Sequence, residues 1–260
     1  MLFYKMNGLG NDYIFIDTEK VNKRELDFLY DNLNSVIVRL SDRHFGIGGD
    51  GVVIIGSSDT ADAKMRIFNA DGSEGKTCGN ALRCVGKLLS DKSSGRLKEM
   101  AIETLSGIKS LMIIENSKVN ATVKVNMGFC NCYRSEKDFD YVDVGNPHAV
   151  LYCDVLDDNA IIEAKKISDR YDVNAEIVKV LNHDQIEMRV WERGSGETLA
   201  CGSGACAVTY SAHKRGLIKN KIEVMLKGGI LHTELIDNRL YMTGPTALNF
   251  IGEINIYNYG

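Results

Sequence analysis

Asn69-Ala-Asp-Gly-Ser-Glu-Gly-Lys-Thr-Cys-Gly-Asn80 and Glu192-Arg-Gly-Ser-Gly-Glu-Thr-Leu-Ala-Cys-Gly-Ser203 are two versions of one glycine-rich turn. Cys78 and Cys201 lie 123 positions apart, and the flanks keep that offset: Met65 with Met188, Arg66 with Arg189, Glu74 with Glu197, Gly79 with Gly202. Behind each turn an apolar, small-residue stretch, Ala81 to Leu89 and Ala205 to Lys214, predicts a helix, so each thiol is expected at a helix N-terminus. Duplication over half the chain predicts two similar α/β lobes related by a pseudo-twofold, with a cleft between them.

Outward from these turns the pattern repeats. Tyr13 to Asp17, after the turn Gly8 to Asp12, predicts a strand, and Leu26 to Val38 carries apolar residues at helical spacing. Val52 to Ile55 and Ala63 to Asn69 predict strands leading to Cys78. Met100 to Thr104 and Lys109 to Glu115 predict a strand pair. The polar stretch Asn116 to Asn120 is the expected domain boundary. After it, Gly145-Asn146 precedes a strand as Gly10-Asn11 does, residues 158–170 predict a helix, and Ile186 to Glu192 predicts the strand leading to Cys201. Late strands at Ile222–Leu226, Leu231–Leu235 and Leu240–Met242 close this half. The expected division is 1–115, joined by the tail 247–260, and 116–246.

Net charge is −4 over 260 residues, with acidic and basic side chains interspersed, so nucleic acid is not an expected partner. The first residues lack the cationic and apolar regions of a signal peptide, and no apolar run is long enough to span a membrane. Seven cysteines without framework spacing predict reduced thiols in a soluble, cytoplasmic protein. No metal is expected, because Cys130-Asn-Cys132 has no second cluster to join it. No phosphate-binding or pyridoxal phosphate motif appears, and Gly46 to Gly51 has no βαβ frame, so no cofactor is expected.

A helix N-terminus favours a thiolate and binds carboxylate, so each Cys-Gly turn is expected to lower its own thiol's pKa. Two such thiols facing one another would settle as one thiolate and one thiol, the working state for inversion at a carbon: a base on one face, an acid on the other. Cys84 and Cys206, inside the predicted helices, read as buried hydrophobes. His148, Asn11, Asn69 and Asn174, taken singly, read as structural or turn residues, and Glu192-Arg193 as a solvated ion pair. A redox role, with Cys78 and Cys201 closing a disulfide, is the alternative from another class.

Met6 to Asp12, Asp42 to Asp50, Phe68 to Glu74 with Cys78-Gly-Asn80, Gly145 to His148, and Glu192 to Cys206 together resemble diaminopimelate epimerase over essentially the whole chain. The resemblance implies a pyridoxal-independent epimerase that interconverts LL- and meso-diaminopimelate on the route to lysine and peptidoglycan. It implies two lobes, each a mixed, mostly antiparallel sheet wrapped round a central helix, and a homodimer. By motif, Cys78 and Cys201 are the acid/base pair, with His148 and Glu192 tuning them. Asn11, Asn69, Asn146, Asn174, Glu192 and Arg193 are the implied substrate contacts, with Gly79, Asn80, Gly202 and Ser203 at the reacting carboxylate. Gly51 stands where some members carry glutamine, and Ala81-Leu82 where a Gly-Ala pair is common. A racemase of another amino acid using the same thiols is the runner-up.

Overall fold

The computed structural model describes all residues from Met1 to Gly260 and divides into two compact units. One comprises Met1–Val123 with Pro245–Gly260, the other Lys124–Gly244.

In the first unit, β1 (Leu2–Gly8) and β2 (Asn11–Asp17) form an antiparallel hairpin. Helices α1 (Lys23–Asp31) and α2 (Leu33–Ser41) follow, then β3 (Gly51–Gly56), parallel to β2, and β4 (Ala63–Asn69), antiparallel to β3. The short β5 (Glu74–Gly75) folds back on β4 and delivers the chain to α3 (Gly79–Lys92). Strand β6 (Glu99–Thr104) runs parallel to β4, and β7 (Gly107–Asn116) antiparallel to β6. Strand β8 (Asn120–Phe129) then enters the second unit.

There β9 (Cys132–Ser135), β10 (Asp140–Asp143) and β11 (Pro147–Tyr152) pair antiparallel in succession. After α4 (Asp158–Tyr171) come β12 (Asn174–Asn182), parallel to β11, and β13 (Gln185–Glu192), antiparallel to β12. The short β14 (Gly196–Glu197) precedes α5 (Gly202–Lys214). Strand β15 (Lys221–Leu226) runs parallel to β13, β16 (Gly229–Ile236) antiparallel to β15, and β17 (Arg239–Glu253) antiparallel to β16. The end of β17 pairs with β1, Ala247 opposite Asn7 and Glu253 opposite Leu2, which secures the tail in the first unit.

The two units therefore repeat one order: hairpin, helix, parallel strand, antiparallel strand, two-residue ribbon, buried helix, parallel strand, antiparallel strand. The sequence repeat is visible as chemistry. Arg66 bonds Glu74 at 2.7 Å across β4 and β5, and Arg189 bonds Glu197 at 2.8 Å across β13 and β14. Each unit is a mixed sheet with few helices. Helix α3 packs on β1, β4 and β7, and α5 on β10, β11, β12 and β16. Both helices are buried on most sides, α5 through the small residues Gly202, Gly204, Ala205, Cys206, Ala207 and Ala212.

The other sheet face carries the outer helices. Leu29, Ile37 and Leu40 of α1 and α2 pack on Ile14, Ile16, Val52 and Ile54. Ile161 and Ala164 of α4 pack on Ala149, Ala175 and Ile177. Covered on both faces, Tyr13–Ile16 of β2 and Val52–Ile55 of β3 are unbroken apolar runs. Each fully buried leucine or isoleucine contributes about 1.5–3 kcal/mol.

Two expectations change. The helix expected across Leu26 to Val38 is two helices. Asn32, at φ −119° and ψ 25°, ends α1 and starts α2, and its side chain donates to the Phe28 carbonyl at 3.0 Å. An asparagine that satisfies the last turn itself competes with helix continuation. The stretch 116–120 is a turn within the first unit, closed by Ser117 on Asn120, and the division falls at Val123 inside β8. Val123 stays with the first unit because it packs against Gly86 of α3.

Candidate active site

Cys78 is the N-cap of α3, extended at φ −142° and ψ 121°, and its carbonyl accepts the first helical bond from Leu82 at 2.9 Å. Cys201 stands equivalently on α5, at φ −120° and ψ 113°, its carbonyl accepting from Ala205 at 3.0 Å. Gly79-Asn80 and Gly202-Ser203 thus occupy first-turn positions, where backbone N–H groups have no helical acceptor. None of the seven cysteines is in a disulfide.

Around Cys78 the side chains are amides. The thiol donates to Asn11 Oδ1 at 3.6 Å, and Asn80 Nδ2 donates to the same oxygen at 3.1 Å. Asn11 Nδ2 donates to Asp50 Oδ2 at 2.7 Å. Since a carboxylate only accepts, Asp50 fixes which end of the Asn11 amide meets the sulfur. Arg43 holds Asp50 at 2.8 Å and Asp12 at 2.7 Å. Burial pushes the Asp12 carboxyl up, but Arg43 and Lys5 outweigh it and hold it below the usual range. Asn69 lies exposed at the end of β4, opposite Gly51 in register, its amide on Ser73 Oγ at 2.9 Å.

Gly51 has φ +155°, and a Cβ there would lie 1.9 Å from the Phe68 carbonyl oxygen. The absence of a side chain at 51 is thus built into this backbone.

Around Cys201 the side chains ionise. His148, on β11, is wholly buried and pairs through Nδ1 with Glu176 Oε1 at 2.7 Å, and Glu176 on β12 is equally buried. Cys201 Sγ accepts from the Gly204 N–H at 3.4 Å and meets Ser203 Oγ at 3.5 Å. The Glu192 carboxyl group lies beside this thiol and accepts from the Thr198 hydroxyl. Burial raises the Glu192 pKa, opposed by Thr198 and by the neighbouring Cys201 thiol.

For Cys201 the expected lowering of the thiol pKa is reversed. Burial first, then the Glu192 and Glu176 carboxylates, push it well above its ordinary range, although Ser203 and the Gly204 N–H pull the other way. One helix end does not outweigh a dry site with two nearby carboxyl groups.

The remaining residues divide. Asn174, at the start of β12, accepts from the Arg193 backbone N–H at 2.9 Å, while the Arg193 guanidinium binds Asp172 at 2.8 Å and is half exposed. Asn146 lies in the turn before β11, its carbonyl accepting from Val144 at 3.3 Å. Cys84 and Cys206 are buried, and burial pushes the Cys84 thiol up to about 12. Glu176, Thr198 and Asp50 were not anticipated. The 123-residue offset was the available signal for Glu176, because it aligns Asn174-Ala-Glu176 with Gly51-Val-Val53.

A family model described as diaminopimelate epimerase matches residues 3–132 and 140–248. Proteins named diaminopimelate epimerase from Methanococcus maripaludis and Acetivibrio thermocellus are 43% and 40% identical, each alignment covering 98% of this chain and 100% and 99% of the relative. Among solved structures, a Bacillus anthracis phenazine biosynthesis protein has a TM-score of 0.72 at 13% identity, covering 98% of this chain and 99% of that one. A probable proline racemase from Agrobacterium radiobacter has a TM-score of 0.71 at 12% identity, covering 98% and 92%. These two support the fold. The family match and the close relatives reach further, and by them the chain belongs to the diaminopimelate epimerase family.

Proposed function

We propose that this chain interconverts LL- and meso-2,6-diaminopimelate by moving the α-proton between Cys78 and Cys201, without pyridoxal phosphate. The observation that carries it is that one topological position, the N-cap of a buried helix, holds a thiol in both units. One thiolate takes the α-proton, so a C–H bond breaks and an S–H bond forms. The electron pair left on carbon spreads into the substrate carboxylate, and the other thiol returns a proton to the opposite face. The raised pKa of Cys201 makes it the thiol that rests protonated, ready as acid in one direction.

The N–H groups of Gly79, Asn80, Gly202 and Ser203 would receive the reacting carboxylate, where fixed dipoles stabilise developing charge. Asn11, Asn69, Asn146, Asn174, Glu192 and Arg193 would hold the two amino-acid heads. His148 and Glu192 would set the protonation of the thiols. A place in the synthesis of lysine and peptidoglycan precursors and a cytoplasmic homodimer belong to the same proposal, and a net charge of −4 without a basic run supports no nucleic-acid role.

Proton NMR of LL-diaminopimelate with reduced protein in D2O tests it. Loss of the α-proton signal with appearance of the meso isomer is expected. A fully reduced, folded protein that exchanges no α-proton would overturn the assignment of substrate.

A further inference from the structure

The buried pair behind Cys201 holds two polar atoms without a hydrogen-bond partner, His148 Nε2 and Glu176 Oε2. Both side chains have no exposed surface. An ionisable pair in such a place is costly to bury, and orphaned atoms on it add to that cost. The fold does not ask for it. In the first unit Tyr13 pairs with Gly51 and Phe15 with Val53 across β2 and β3; in the second His148 pairs with Asn174 and Val150 with Glu176 across β11 and β12. Tyr13 and Val53 thus stand where His148 and Glu176 stand, and the same architecture is built without a carboxylate.

The second unit also makes room for it. Gly204 lies in the first turn of α5, where a Cβ would come within 2.5 Å of Glu176 Oε1; the residue at the same offset in the first unit is Ala81. Glu176 therefore lies against the helix end that Cys201 caps. The charged or titratable groups facing that thiol are Glu176 from β12, Glu192 from β13 and, behind them, His148 from β11.

We propose that Glu176 is a positioning residue for the reaction. It holds the proton of His148 on Nδ1, leaves Nε2 as an acceptor, and by its charge beside the α5 N-terminus keeps Cys201 a thiol until turnover. The link to turnover rests on the proposed epimerisation, whereas the effects on histidine and thiol do not.

NMR of protein labelled with [3-13C]cysteine, the Cys201 signal assigned with Cys201→Ser, follows the ionisation of each thiol directly. In Glu176→Gln, which keeps the size and an acceptor for Nδ1–H, the Cys201 midpoint is expected to fall by about one pH unit or more, a tenfold rise in thiolate fraction at fixed pH. The Cys78 midpoint should stay where it is. An unmoved Cys201 midpoint in folded Glu176→Gln overturns the proposal. The unaltered protein supplies a second test. 15N NMR of His148 should show a protonated Nδ1, and a histidine carrying its only proton on Nε2 overturns the proposal as well. Neither measurement uses substrate, so failure of wild-type α-proton exchange would strike the assigned activity and leave this inference to its own data.

Discussion

The two cysteine turns share a backbone and differ in chemistry. Cys78 faces an amide whose orientation Asp50 fixes, whereas Cys201 faces Glu192 and lies beside the buried His148–Glu176 pair. At matching positions stand Val53 and Glu176, Asn69 and Glu192, Ala81 and Gly204. The repeated frame thus carries an amide lining in one unit and a carboxyl lining in the other, a difference the proposed reaction would use. A two-base reaction needs that difference, because the acid and the base cannot be the same species at one moment.

Replacing either thiol should have the largest effect. Cys78→Ser or Cys201→Ser is expected to reduce kcat for epimerisation by about 10³-fold or more, since a hydroxyl is a far weaker acid than a thiol and does not ionise near neutral pH to supply the base, and each step depends on one group. Circular dichroism should show folding retained, because serine caps a helix at least as well as cysteine. Near-wild-type turnover in either variant would remove the two-base mechanism.

Making the first unit resemble the second should damage stability. Val53→Glu places a carboxyl group at a fully buried position with Tyr13, not histidine, on the neighbouring strand. A buried, uncompensated carboxylate is expected to cost about 3–5 kcal/mol at pH 7. Its folded-state pKa would rise above the unfolded value of about 4.3, so the penalty is absent below that value and grows as pH rises towards the folded one. Urea midpoints of wild type and variant should therefore converge near pH 4. A constant gap from pH 4 to 8 would point to packing damage alone.

Much of this contrast was legible in the chain, though unevenly. The two Cys-Gly turns announced themselves through their shared offset, and β4 and β13 were found because their apolar alternation is clean. Strand β12 was missed: Asn174-Ala-Glu-Ile-Val-Lys-Val mixes charge with apolar residues, and Glu176 reads as a surface residue until its partner His148 is known. Burial of a polar pair is a tertiary property that periodicity does not encode. The helix expected over Leu26 to Val38 failed for a different reason, since Asn32 breaks it locally where the apolar spacing runs on. The raised pKa of Cys201 is not legible in the sequence, because a helix end can be read there whereas dehydration and two converging carboxyl groups cannot.

The anchoring of the buried helices extends the comparison, with opposite signs of charge. In the second unit the anion lies outside the helix. Asp140 on β10, fully buried, accepts from Arg215 Nε and Nη2 at 2.7 Å each and from Ser211 at 2.6 Å. Burial pushes the Asp140 carboxyl up, but these bonds and that from Ser135 outweigh it and hold it below the usual range. Asp140→Asn should cost about 2–3 kcal/mol at pH 7, below the figure for a fully buried pair because Arg215 is partly exposed. With a lowered folded pKa, the contribution is present above the unfolded value of about 3.9 and lost as pH falls through the folded one. The gap between wild type and Asp140→Asn in urea should close below about pH 4, and a gap that persists there would assign the loss to shape.

In the first unit the cation lies within the helix. Lys87 of α3 is fully buried, and its Nζ donates to Asp91 Oδ2 at 2.9 Å, Asn116 Oδ1 at 3.2 Å and the Ser117 carbonyl at 2.9 Å. Lys87→Met keeps the stem and removes the donors. Asp91 is partly exposed and can turn to water, so the expected loss is smaller, about 1–2 kcal/mol, most of it from the Ser117 carbonyl and the Asn116 side chain. The turn 116–120 should register it first, because Lys87 ties that turn to the helix. Amide hydrogen exchange at Asn120, whose N–H donates to Ser117 Oγ at 3.1 Å, should accelerate more than exchange within α3 itself. Equal acceleration at both would mean that Lys87 supports the helix as a whole, and that the two units hold their central helices by the same means after all.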